Sequence, residues 1–169
     1  IAVLPFDNLS GDPDQEYFAD GIAEDLITLL STWRDFPVIA RNSSFTYKGK
    51  AVDVKQVSRE LGVRFFVSGS VRRDPATLKV AAHLTDATTG QQLWSDSFRI
   101  GLEAAGLIET QEAIARSVIA AVAGEYGVVA TRLSRESRGK PPATLSTYEA
   151  LLRYHHYMLV MTSEAGADA

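Results

Sequence analysis

The chain has 169 residues, of which 46% are hydrophobic and 22% charged, with a formal net charge of -4 and no cysteine. These values suit one soluble domain, or one domain and the start of another, and exclude wholesale disorder. They also leave no broad cationic field for nucleic acid, and exclude disulfides, thiolate nucleophiles and cysteine-ligated zinc.

Residues 1–6 (IAVLPF) read as a short buried strand that Pro5 ends or disturbs. The chain opens inside this apolar run without Met, as a piece of a longer protein would. A cluster of turn formers, DNLSGDPDQ, leads into a helix expected from about Pro13 to Trp33. Asp12 is placed as N-cap, Pro13 at the first helical position and Gln15 to complete a capping box. Phe18, Ile22, Leu26, Leu29, Leu30 and Trp33 make its apolar stripe, and Gly21 implies a close neighbour. Val38–Ala40 reads as a second buried strand after Pro37, and Arg41–Lys50 as a polar loop. A short helix follows near Asp53–Leu61, closed by Gly62.

Val63–Arg73, Leu78–Leu84 and Leu93–Ile100 then read as three strands of an antiparallel meander. Asp74-Pro75 and Ala87–Gly90 are its turns. One long helix is expected from about Leu102 to Leu133, with Leu107, Ile114, Val118 and Val122 inward. A charged, proline-broken linker covers 134–144, and an amphipathic helical stub carrying Tyr148, Leu151, Leu152, His155 and Leu159 covers 145–169. The fold class is therefore α/β (α+β): a mixed five-stranded sheet of order βαβαβββα with helices packed on it, plus a C-terminal helix. Residues 1–133 are expected to form the α/β domain. No run of about 18 apolar residues occurs, so no membrane span is expected.

Ligands of open α/β sheets bind beyond the carboxyl ends of parallel strands. Two loops are placed there. The first offers Asp7, Asn8, Ser10 and Asp12; the second offers Arg41, Asn42, Ser43, Ser44, Tyr47 and Lys48. Together they could hold a small polar ligand or a peptide, although residues of these types more often serve as turns and caps. No glycine-rich phosphate cradle, nucleophile elbow or i, i+4 histidine pair is present. His83 lies in a strand, and His155 and His156 point to different sides of a helix. Ser68-Gly69-Ser70 lies mid-strand, where small residues permit close packing. Arg132, Arg135 and Arg138 form a basic stripe on a helix, usually a solvated one. No cofactor, metal or catalytic residue is assigned.

Three strings carry a family resemblance: residues 1–26 (IAVLPFDNLSGDPDQEYFADGIAEDL), 38–73 (VIARNSSFTYKGKAVDVKQVSRELGVRFFVSGSVRR) and 84–98 (LTDATTGQQLWSDSF). Over Ile1–Tyr126 the chain resembles a bacterial domain similar to the amino-terminal domain of TolB and to FlgO. That domain stands between an effector, a class III adenylate/guanylate cyclase or a winged-helix domain, and tetratricopeptide repeats. Tyr148, Leu151, Leu152 and His155 are similar to the first helix of such a repeat, except that Leu152 replaces the small residue expected there. The resemblance implies a mixed sheet flanked by helices, no catalytic residues, and a partner that is a protein or the attached effector, with a homodimer or a small ligand as further options. The expected function is a non-catalytic regulatory or sensory module. The alternatives are a structural adaptor or dimerisation domain, and a small-ligand or nucleotide-binding enzyme domain using Asp7, Asp12 and Arg41.

Overall fold

The computed structural model describes residues 1–33, 37–51, 53–101, 106–124, 127–147, 149–154 and 157. Two compact units divide the chain, Ile1–Val122 and Ala123–Ala169. The first is built on a mixed five-stranded sheet. Strands β3 (Phe65–Arg73), β4 (Thr77–Asp86) and β5 (Gln91–Gly101) form the antiparallel meander. Strands β1 (Ala2–Val3) and β2 (Asp7–Asn8) both lie parallel to β3, so β5 is the far edge. The α/β class and the mixed sheet are as expected; the order of elements differs in four places.

The first strand is two short ones. Pro5 has no N–H for a ladder, so pairing stops after Leu4 N–H meets the Val67 carbonyl and resumes at Asp7 opposite Ser70. Val38–Ala40 is not a strand. Pro37 lacks a donor, and among the described residues two backbone bonds tie this segment to the chain start, Ile39 N–H to the Ile1 carbonyl (3.0 Å) and the Ile1 amino group to the Pro37 carbonyl (2.9 Å). The polar stretch after Ala40 is not a loop but a turn of helix, α2 (Arg41–Ser44), continued by a 3-10 turn at Phe45–Tyr47. The long C-terminal helix is two, α4 (Leu107–Ala123) and α5 (Val128–Ser137), separated between Gly124 and Gly127, where two glycines remove the propensity to continue. Its expected start at Leu102 lies outside the described residues, as do Tyr148, His155, His156 and Leu159.

Helix α1 (Asp14–Ser31) begins where Pro13 already has helical dihedrals (φ -58, ψ -29) and the Asp12 carbonyl takes the Gln15 N–H at 3.1 Å. Phe18, Ile22, Leu26 and Leu30 are buried. They pack on β1, β2 and β3, where Val67 and Val71 are fully enclosed, and Leu78, Val80, Ala82 and Leu84 of β4 are buried on the same sheet face. Gly21 and Gly69 explain themselves. A Cβ on Gly21 would overlap the amide of Gln111 from α4, which donates to the Phe18 carbonyl at 3.1 Å. A Cβ on Gly69 would overlap the Phe6 ring and the Ala81 carbonyl.

Among the described residues of this unit the other sheet face is covered at one end. Helix α3 (Val54–Leu61) is capped by Asp53, whose carboxylate accepts the Lys55 N–H at 2.9 Å. It closes at Gly62, which takes the left-handed φ of +65°. Its Val57 packs with Ala2, Leu4, Phe66 and Ala87, and Tyr47, Val54 and Leu61 close around them. Beyond this cluster the face is open, and Thr77, Lys79, Ala81, His83 and Thr85 alternate half-exposed with the buried positions of β4.

In the second unit Ser146 starts the last helix through a capping box absent from the sequence reading. The Ser146 hydroxyl accepts the Glu149 N–H (3.2 Å), and Glu149 accepts the Ser146 N–H (2.9 Å). Lys140 pairs with the same carboxylate at 2.5 Å. Its hydrogen bond, with those from Ser146, lowers the Glu149 carboxyl to about 2. Residues Ile108–Ser137 hold a window long and apolar enough to cross a membrane by length and composition, but 56% of it is buried.

Candidate functional site

The two loops proposed from sequence do come close, but most of their polar groups satisfy one another. The Asn8 carboxamide oxygen accepts from the backbone N–H of Ser10 (3.0 Å) and from its hydroxyl, and the Asn8 amide donates to the Asp12 carbonyl (2.8 Å). This is an Asx turn. Asp12 pairs with Arg73 at 3.2 Å. Arg41 lies over the Phe45 ring, 4.0 Å from its centroid, and 3.4 Å from Glu24. Asn42 and Ser43 are exposed, and the Ser43 carbonyl accepts the Thr46 hydroxyl. The Ser44 hydroxyl is fully buried and has no partner among the described residues.

Lys48 ties the second loop to α1. Its ammonium touches Asp20 (2.6 and 2.7 Å) and Glu16 (2.7 Å) on α1. Burial alone would lower its pKa, but the hydrogen bonds to Asp20 and Glu16 and their charges hold it above the ordinary value. The Lys48 hydrogen bond in turn lowers Glu16, helped by one from Asn8. Tyr47 donates to Glu60 at 2.5 Å, which raises the phenol and lowers the carboxyl.

Of the expected residues, Asp7, Tyr47 and Lys48 share a cleft of about 340 Å³ on the open sheet face; Asn8, Ser10, Asp12, Arg41, Asn42 and Ser43 do not line it. That volume is at the small end of ligand sites. Its floor is Ser68, Gly69 and Ser70 of β3 with His83 of β4, and Lys50, Leu4, Leu9 and Val54 complete its walls. Sequence reasoning missed the floor, although the i, i+2 spacing of Ser68 and Ser70 on a strand puts both hydroxyls on one side, and His83 pairs with Ser68 in register. The His83 Nδ1 is buried and has no partner among the described residues. Asp7 is exposed and forms no ion pair among the described residues. The cleft therefore offers hydroxyls, an imidazole nitrogen, a carboxylate and the Lys50 ammonium. Among the described residues no group of three or more His, Asp or Glu side chains gathers to hold a metal.

The architecture is that of a small mixed α/β domain, and known proteins resemble it. The chain is 44% identical over all 169 residues to a Rhizobium meliloti (strain 1021) protein named "Putative adenylate cyclase 3", and spans 28% of that protein's length. No protein-family model matches the chain. Among solved structures it is similar in fold to lipoprotein GNA1162 from Neisseria meningitidis. The TM-score is 0.51 at 19% identity, over 69% of this chain and 95% of that one. It is also similar to a single-residue variant of the PelC dodecamer from Paraburkholderia phytofirmans, with a TM-score of 0.50 at 17% identity, over 70% and 84% of the two chains. At these identities the structural likeness shows the fold alone.

Proposed function

We propose that the chain is a non-catalytic regulatory module of a larger bacterial adenylate cyclase, of the TolB-like and FlgO-like kind, standing before tetratricopeptide repeats. The observation that carries this reading is the 44% identity, end to end, with just 28% of a protein named as an adenylate cyclase. The site chemistry supports it. Lys48, Asp12, Asn8 and Tyr47 spend their polar groups on Asp20, Arg73, Ser10 and Glu60, which fixes loops and leaves few groups for turnover. The module's ligand or partner is read at the cleft over Ser68, Ser70 and His83, and reaches the effector by favouring one of two states.

The test compares three proteins for conversion of ATP to cyclic AMP: the isolated 169-residue chain, the longer protein that contains it, and that protein lacking residues 1–122. The isolated chain is expected to be inactive. The deletion is expected to change the longer protein's output by about fivefold or more, the scale of ordinary allosteric coupling. Cyclic AMP from the isolated chain, or unchanged output after the deletion, would sink the proposal.

A further inference from the structure

The open sheet face sets its residues in rows by cross-strand register. Ser68 faces His83, which faces Ser95. Ser70 faces Ala81, which faces Ser97. Arg72 faces Lys79, which faces Arg99. In the last row three cations stand abreast, with strands about 4.8 Å apart, so the charges span about 10 Å. Like charges directly opposite one another destabilise a sheet. Yet none of the three forms an ion pair among the described residues. The nearest acids by register are Asp7, opposite Ser70 one row away, and Asp74, which follows β3. This positive row stands in a molecule of net charge -4.

The row ends at an edge. β5 is eleven residues long, contains no proline, and pairs on one side only among the described residues; a register shift at Leu93 leaves Trp94–Gly101 as its regular edge. Long edges of this kind invite an added strand unless they are blunted. Arg99 sits at that edge and continues the row towards whatever lies beyond it. Outside the cleft the face is not enclosed, which disfavours a small molecule and favours an extended chain. Guanidinium forks on Arg72 and Arg99 match carboxylates in bidentate geometry. The local competitor is the Asp96 carboxylate on the opposite face, which accepts the Ser97 N–H at 2.7 Å.

We propose that the outer edge of β5 and the Arg72–Lys79–Arg99 row bind an acidic, extended segment of a partner protein. It adds as a strand along β5 with its alternate carboxylates on the open-face side, where one meets Arg99 at the end of the row and Lys79 and Arg72 extend the positive field behind it. This surface is separate from the cleft and does not depend on the cyclase reading.

The probe is a fluorescent decapeptide of alternating Val and Glu, with the same peptide carrying Lys for Glu as control. Both are titrated against the full 169-residue chain by anisotropy, with amide hydrogen exchange read over residues 91–101. The Glu peptide is expected to bind, to slow exchange along β5, and to weaken about tenfold or more in the R72E/K79E/R99E variant and in high salt. The Lys peptide is expected not to bind. Equal binding of the two peptides, full binding by the triple variant, or unprotected β5 amides would each overturn the proposal. So would a row-dependent attachment to phosphatidylserine vesicles with no peptide binding. R99E alone, at an exposed position, serves if the triple variant misfolds.

Discussion

Asp86 closes β4 with no solvent exposure, and its carboxylate is fully engaged. Arg64 reaches one oxygen through Nη2 (2.7 Å) and Nε (3.1 Å), and Thr88 reaches the other through its N–H (3.0 Å) and hydroxyl (2.5 Å). Burial pushes this carboxyl up, but the bonds from Arg64 and Thr88, with the Arg64 charge, win and bring it down to about 2 from 3.8. A depressed folded pKa contributes stability that is complete above the unfolded value and disappears as pH falls through the folded one. The window is thus from about pH 4 down to about pH 2, and the amount is about 2 kcal/mol. Urea unfolding across this range should show the loss. In Asp86→Asn, which leaves the Arg64 guanidinium without its anion, the acid limb should flatten and stability at neutral pH should fall by about 2–3 kcal/mol. The turn Ala87–Gly90 is readable in the sequence from its residue types. The anchor that holds it is not, because Arg64 and Asp86 meet only through the β3–β4 register.

At the scale of elements, what the sequence reveals is what local periodicity encodes. The alternation of β4, the apolar stripe of α1 and the Asp53 and Gly62 ends of α3 all appear where the pattern puts them. What it hides depends on donors and on neighbours. Val38–Ala40 is apolar enough for a strand but follows a proline and gains one ladder bond. Arg41–Ser44 is polar enough for a loop, yet its apolar neighbours Phe45 and Tyr47 need a helical turn to reach Arg41 and the α3 cluster. The candidate site was legible in the same partial way: Asp7, Tyr47 and Lys48 are found at the cleft, whereas its floor of Ser68, Ser70 and His83 follows only from strand pairing. Gly69, between the two serines, was readable as a close-packing position, and its neighbours make that testable. Gly69→Ala drives a methyl into the Phe6 ring and the Ala81 carbonyl, so it should cost about 1–3 kcal/mol despite the better strand propensity of alanine. Phe6→Leu should cost less in the Gly69→Ala background than alone, a coupling that a double-mutant cycle of thermal melts reads directly.

For the molecule as a whole, the sheet divides into parts of unequal sequence separation. β3, β4 and β5 pair with their chain neighbours through short turns, whereas β1 reaches β3 from about sixty residues away, with α1, α2 and α3 threaded between. Closing that loop costs entropy before its contacts repay it, so the meander should form early and β1 should dock late. Val80 of β4 and Val3 of β1 are both fully buried, which makes them a matched pair of probes. Val80→Ala and Val3→Ala should each cost about 1–3 kcal/mol at equilibrium, since both remove the same two methyl groups from a packed interior. Their kinetics should differ. A contact present in the transition state is lost from the folding rate, and one made afterwards is lost to faster unfolding. In stopped-flow chevrons Val80→Ala should slow folding with little change in the unfolding limb, and Val3→Ala should speed unfolding with folding almost unaltered. The reverse assignment would mean that the parallel pairing of β1 with β3 nucleates the sheet, and that the open face over Ser70 and Arg72 is built from the β1 side.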